Sequence, residues 1–288
     1  MLLPFLKKAS SYYPHPNFAA ITVLLATLPQ LSDAQCGCQF NNTCFPDRDT
    51  LKTAVDKFVG DTWDGVHGGV NYGSNISEWC TNLVTDMNKM FFEANYFNED
   101  ISLWNTAKVS DMSYMFSFAY FFNEDLSQWN TAKVSYMKDI FREASLFTGD
   151  GIGSWNTAKV SDMACLFCGA SSFNEDISLW NTASVSDMSY KFGSASSFNE
   201  DLSQWNTAKV SYMNGMFSYA SSFNKNLCAW RDNFPYGDAS DIFTGSNCTY
   251  TTTPTSTNSA FFAGSADECQ AYAHPVSSIS IKREMQSF

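Results

Sequence analysis

Apolar residues return on a fixed beat through the middle of this chain. Counting from Trp104 they stand at Val109, Met112, Met115, Phe116, Ala119, Phe122 and Leu126, and the next tryptophan follows at Trp129. The same order runs from Trp79, Trp129, Trp155, Trp180 and Trp205, and Trp230 closes the series. The intervals are 25 residues, with one of 26 between Trp129 and Trp155. Between Val109 and Phe122 the steps are 3, 3, 1, 3 and 3, which is the spacing of one apolar stripe on a helix. The polar stretch Asn123-Glu124-Asp125-Leu126-Ser127 holds one apolar residue and suits a short strand facing inward at Leu126. Each unit therefore reads as a short helix, partly 3₁₀, then a turn and a short strand. A period of this length marks a repeat array. The expected fold is an α/β repeat, a solenoid of about seven 25-residue coils over residues 75–233 with its strands in a parallel sheet.

Stacking aligns equivalent positions into columns. Trp79, Trp104, Trp129, Trp155, Trp180, Trp205 and Trp230 form a core ladder. Asn105, Asn130, Asn156, Asn181 and Asn206 form a second column, expected to satisfy backbone groups at a tight turn. Thr106, Thr131, Thr157, Thr182 and Thr207 form a third. A regular threonine surface raises ice binding as a reading, but one column is narrow for that task. Asp86, Asp111, Asp162 and Asp187 sit where each helix should start and would favour its positive end. The extra residue of the long interval falls within Phe147–Ile152 and predicts a bulge. Lys191 stands where the pattern asks for methionine or leucine, and is expected to snorkel at the edge of the stripe or to mark a local defect.

The flanks divide the chain further. Residues 1–34 read as a secretory signal: Lys7 and Lys8, then the apolar run 18–28, then small residues at Ser32 and Ala34. The run is shorter than the roughly 20 residues that span a bilayer. Residues 35–74 form a cysteine-containing N-terminal cap with an amphipathic helix over 47–59, started by Asp47 or Asp49, and a glycine-rich loop over 60–73. Residues 234–249 form a C-terminal cap in which Phe234, Ile242 and Phe243 cover the last coil. Residues 250–288 are a Ser/Thr-rich linker and tail.

The formal charge of the full chain is −12, from 17 basic and 29 acidic residues, and removal of residues 1–34 makes it −13. Such a surface repels nucleic acid and anionic membranes and attracts cations. Nine cysteines in an exported chain suggest disulfides. The favoured pairs are Cys44–Cys80 and Cys228–Cys248, at the two ends of the array. Cys165-Leu-Phe-Cys168 is a CxxC with neither a helix N-terminus nor a second ligand pair in view. It reads as a strained disulfide or two buried thiols instead of a zinc or redox site. Asn41, Asn75 and Asn247 begin glycosylation sequons that flank the array.

The string Phe-Asn-Glu-Asp-Ile-Ser-x-Trp-Asn-Thr-x-x-Val-Ser-Asp-Met-Ser-x-Met-Phe resembles the BspA-like leucine-rich-repeat surface proteins. It is close to the 25-residue repeat first described as a Mycoplasma domain of unknown function. The resemblance covers roughly 75–245 and recurs in about six consecutive units. It implies a right-handed, leucine-rich-repeat-like solenoid, export, and surface adhesion or protein binding. It brings no catalytic residues.

The columns also offer a candidate site. Glu99, Glu124, Glu175 and Glu200 align, as do Asp100, Asp125, Asp176 and Asp201. Like charges stacked about 5 Å apart repel, so the strip is a candidate for Ca²⁺, held at the four aspartates, or for a basic partner. The plainer reading is a solvated face whose aspartates cap local turns. No other cofactor or metal site is read. Polar residues recur by period instead of converging, so an enzyme is not expected. The expectation is a secreted or surface-associated scaffold that binds extracellular protein or glycan along a repeat face, of undetermined oligomeric state. The alternative is a self-assembling matrix or wall component.

Overall fold

The computed structural model describes residues 43–259. The expected signal, the Asn41 sequon and the tail from residue 260 lie outside the described residues.

Helix α1 spans Arg48–Val59. Asp47 caps it, its side chain accepting from Thr50 N at 2.8 Å, and Leu51, Ala54 and Val55 are buried. In place of a loop, the glycine-rich segment forms a hairpin of β1 (Val66–His67) and β2 (Val70–Asn71), paired antiparallel. Gly68 and Gly69 make its two-residue turn with φ of 58° and 79°. A primed turn needs positive φ at both central positions, and only glycine adopts it without strain.

The 25-residue units stack on one another. Phenylalanines form one unbroken ladder: Phe91, Phe116, Phe141, Phe167, Phe192, Phe217 and Phe243, with neighbouring centroids 5.3 to 5.8 Å apart. A second ladder runs from Phe97 through Phe122, Phe147, Phe173 and Phe198 to Phe223. Within each unit the two are stacked, as in Phe116–Phe122 at 3.9 Å. Trp104 Nε1 donates to Ile76 O at 2.9 Å, and every later array tryptophan repeats the bond to a residue 28 or 29 positions earlier. A buried indole N–H needs such an acceptor.

The secondary structure inside the units differs from the expectation. The stretch Val109–Phe122 is a chain of overlapping turns, without an α-helix. Its N–H groups alternate: Met115 and Ser117 donate three residues back, to Met112 O and Tyr114 O, while Tyr114 and Phe116 donate to Lys138 O and Ile140 O in the next unit, and Lys89 and Phe91 likewise donate to Ser113 O and Met115 O. Residues such as Lys89 and Glu93 take positive φ, 57° and 60°, as the third position of a type II turn requires. The expected strand around Leu126 is likewise absent among the described elements. The inter-unit pairing is instead a column of single parallel bridges, Asp86–Asp111–Tyr136–Asp162–Asp187–Tyr212.

The extra residue of the third unit is absorbed by Gly149 and Gly151, with φ of 105° and 88°. A Cβ on Gly149 would come within 2.6 Å of the Phe173 ring. At the C-terminal end Phe234, Ile242 and Phe243 are buried. The start of the expected linker is engaged: Thr253 Oγ1 accepts from Asp241 N, and Pro254 is buried.

Candidate functional site

The acidic columns are built into the turns that precede each tryptophan. Asp100, Asp125, Asp176 and Asp201 are exposed. Each accepts from the backbone N–H two residues on, at Ser102, Ser127, Ser178 and Ser203, at 2.8 to 2.9 Å. This is an Asx turn, in which a short carboxylate stands in for a backbone acceptor. The bond to Ser178 N lowers the Asp176 carboxyl below its ordinary value. Among the glutamates, Glu124 and Glu200 accept from Asn98 and Asn174 one unit earlier, at 2.9 and 2.8 Å. Glu175 is half-buried, and desolvation, then Asp150, Asp176 and Glu200, raise its carboxyl. Among the described residues no three His, Cys, Asp or Glu side chains converge as a metal site requires. Replacing the four aspartates with Asn keeps the acceptor and should leave the melting temperature nearly unchanged. Replacing them with Ala should cost about 1 kcal/mol per site, read by thermal melts.

The Asn105, Asn130, Asn156, Asn181 and Asn206 side chains each accept from the N–H two residues on, Ala107 through Ala208, at 3.0 to 3.1 Å. Their backbone carbonyls accept from the threonine hydroxyl of the preceding unit, as Thr106 Oγ1 does to Asn130 O at 3.1 Å. The threonine column is therefore 1–2 % exposed, which removes the ice-binding reading. A further asparagine column had no hydrophobic signature to reveal it. Asn98 Oδ1 accepts from Asn123 N one unit on, and Asn123, Asn174 and Asn199 repeat the bond.

Cys44 and Cys80 form a disulfide. The second expected pair is not formed. Cys248 is a buried free thiol, 25 residues after Phe223 and bonded to its carbonyl. It thus occupies the place of the next phenylalanine in the second ladder. Cys228 is disulfide-bonded, but not to Cys248. Cys165 and Cys168 are free and half-buried. Asn75 and Asn247 are exposed, and the Asn75 amide donates to Glu78.

Three exposed aromatic side chains of the early units lie close together. Tyr96 is 83 % exposed, Phe121 49 % and Tyr120 38 %. The Tyr96 and Phe121 rings are 5.4 Å apart. Phe118 contacts Phe92 and Tyr120, Arg142 lies over Phe118, and Lys89 lies over Phe92 and Tyr114. In later units the equivalents of Tyr96 and Phe121 are Ser172, Ser197 and Ser222, and those of Tyr120 are Ser171, Ser196 and Ser221. Serine hydroxyls there bond the unit before, as Ser171 Oγ does to Ser145 O.

Stacked 25-residue units with shared hydrogen-bond columns define a repeat protein. The chain belongs to the family described as Mycoplasma protein of unknown function, DUF285, whose model matches residues 62–151 and 147–252. No curated protein and no solved structure matches it. Among the described residues, no helix is long and apolar enough to cross a membrane.

Proposed function

We propose that this protein is a non-enzymatic binding scaffold of the BspA-like, leucine-rich-repeat-like solenoid kind, exported and acting outside the cell. In this reading it engages an extracellular protein or glycan through its early units. The observation that supports it most is the exposed aromatic cluster of Tyr96, Tyr120 and Phe121. Aromatic rings left in water over two neighbouring units mark an interaction surface, and tyrosine and phenylalanine faces suit both sugar rings and protein side chains. The flanking Lys89 and Arg142 add positive charge to a chain that is otherwise acidic. The acidic columns are assigned to turn chemistry, where each aspartate already holds a backbone N–H.

The test is a glycan-array and extracellular-protein binding screen on the purified chain, comparing wild type with the Tyr96→Ala/Phe121→Ala double variant. Both side chains are exposed, so folding should be unaffected. A specific partner lost at least tenfold in the double variant, and kept when the four column aspartates become Asn, supports the proposal. Loss in the Asn variant alone returns the site to the acidic strip. No partner, together with concentration-dependent assembly in light scattering, supports a structural matrix component instead.

A further inference from the structure

The stacking period gathers an unexpected set of groups around the CxxC. Asp139 lies 26 residues before Cys165, and Arg142 lies 26 before Cys168. Each pair holds equivalent positions in adjacent units. The backbones are zipped on either side, Asp139 N to Ala164 O at 3.0 Å and Glu143 N to Cys168 O at 2.7 Å. Asp139 is 2 % exposed, an unusual place for a carboxylate. It is held by Arg142 at 3.6 Å, and the nearby Cys165 thiol also favours its charged form. The Cys165 thiol interacts with both this carboxyl and the Cys168 sulfur, and its single proton can go to only one of them at a time. Burial raises the Asp139 carboxyl above its ordinary value.

The local backbone permits a bond between the two sulfurs. Cys168 N donates to Cys165 O at 3.2 Å, closing a four-residue turn. Such turns bring their first and last Cα atoms within about 7 Å, and disulfides need about 4.4–6.8 Å. The two thiols are not equivalent. The Cys165 hydrogen bond, and then the Arg142 charge, hold the Cys168 thiol below its ordinary value. Cys165 is raised, because it keeps its proton for Cys168 and is buried. Both thiols are half-buried, and Gly193 in the next unit lies beside Cys168, where an added Cβ would stand 3.7 Å from its Sγ. The charged groups facing the pair are Asp139, Arg142 and Glu143.

We propose that Cys165 and Cys168 form a dithiol centre that exchanges with disulfides, with Cys168 as the attacking sulfur, Cys165 as the resolving sulfur and Asp139 as acceptor of the Cys165 proton. The Cys168 thiolate attacks one sulfur of a disulfide RSSR. The RS–SR bond breaks, a Cys168–SR bond forms, and RS⁻ leaves and takes a proton. Cys165 then passes its proton to the Asp139 carboxylate, and its sulfur attacks Cys168. The Cys165–Cys168 bond forms, and the second RS⁻ leaves and is protonated. The dithiol is oxidised and RSSR is reduced to two thiols.

The experiment uses the full chain and glutathione disulfide as probe, followed by intact mass and by peptide mapping of the 165–168 turn. Wild type should lose two hydrogens and gain an internal Cys165–Cys168 disulfide. Cys165→Ser should stop at one bound glutathione on Cys168. Cys168→Ser should react at least tenfold more slowly, down to the background set by the Cys165→Ser/Cys168→Ser double variant. Asp139→Asn should accumulate the mixed disulfide and lose the pH dependence of the second step, with the first step retained. Equal rates for the two single serine variants, or glutathione addition to wild type with no internal disulfide, would overturn the proposal. Both readings survive any folding defect of Asp139→Asn, because they come from the serine variants and from wild type.

Discussion

Replacing Lys191 with methionine should raise the melting temperature at neutral pH, and the gain should shrink as the pH climbs towards 10.5. Lys191 is 0 % exposed and occupies a column otherwise filled by Met90, Met115, Ile140, Leu166 and Met216. Its Nζ lies 4.9 Å from the Trp180 ring centroid, 4.5 Å from Trp205 and 5.7 Å from Phe192, and it donates to Met163 Sδ at 2.8 Å. Among the described residues no carboxylate is paired with it. Three aromatic rings attract an ammonium by about 2 kcal/mol or more when desolvated, but taking that charge out of water costs several kcal/mol. Desolvation wins, and it lowers the lysine well below its ordinary 10.5.

The folded chain therefore binds this proton less tightly than the unfolded chain does. Unfolding takes up a proton between the lowered folded value and 10.5, so stability rises with pH through that window and levels off above it. Methionine has no proton to bind and fits the column. The expected gain is about 1–4 kcal/mol at neutral pH, measured by melts of both proteins across pH. A destabilised Lys191→Met variant, or a gain that stays constant to pH 11, would show that the amine is held as a charged, satisfied group.

Replacing Phe167 with alanine should cost about 3–5 kcal/mol, the largest loss expected from a single truncation in the array. Phe167 is fully buried and stacks on Phe141 and Phe192 in the adjoining units and on Phe173 in its own, at 5.8, 5.7 and 3.7 Å. Truncation removes ring area from all three contacts and leaves a cavity that the hydrogen-bonded turns on either side resist closing. Because each unit is stabilised by its neighbours, a lesion in the middle weakens two interfaces at once. Phe167→Leu keeps most of the volume and should cost much less. Urea unfolding of the three proteins checks the order, and equal stability of the alanine and wild-type chains would refute the ladder's energetic role.

The sequence was most legible where chemistry repeats with the period. The tryptophan interval alone aligned Trp104 with Trp129 and Asn105 with Asn130, and the asparagine column does satisfy backbone groups at turns. The N-terminal helix was readable because Asp47 precedes an apolar stripe of local origin. What misled was the stripe inside each unit. Steps of 3, 3, 1, 3 and 3 fit a helix, but they fit equally a run of overlapping turns, since both return a side chain to one side every three or four residues. A sequence cannot say whether Lys89 N–H will find an acceptor four residues back or the Ser113 carbonyl in the next unit. The tertiary stack supplies that second acceptor, and satisfying it draws Lys89 and Glu93 into positive φ.

The same division holds for the reactive groups. The CxxC was visible, but its chemistry was not, because Asp139 and Arg142 are 26 residues away and join it only through the stack. The cysteine ends were half legible. Cys44 and Cys80 sit on the segments joined by Phe45 N to Cys80 O, while Cys248 fills a ladder place that proximity in sequence does not disclose. By itself, the sequence determined the period, the columns and the local caps, since these depend on residue type and spacing alone. The tertiary structure decided which backbone groups pair between units and which distant side chains meet, because those outcomes depend on what the neighbouring unit presents.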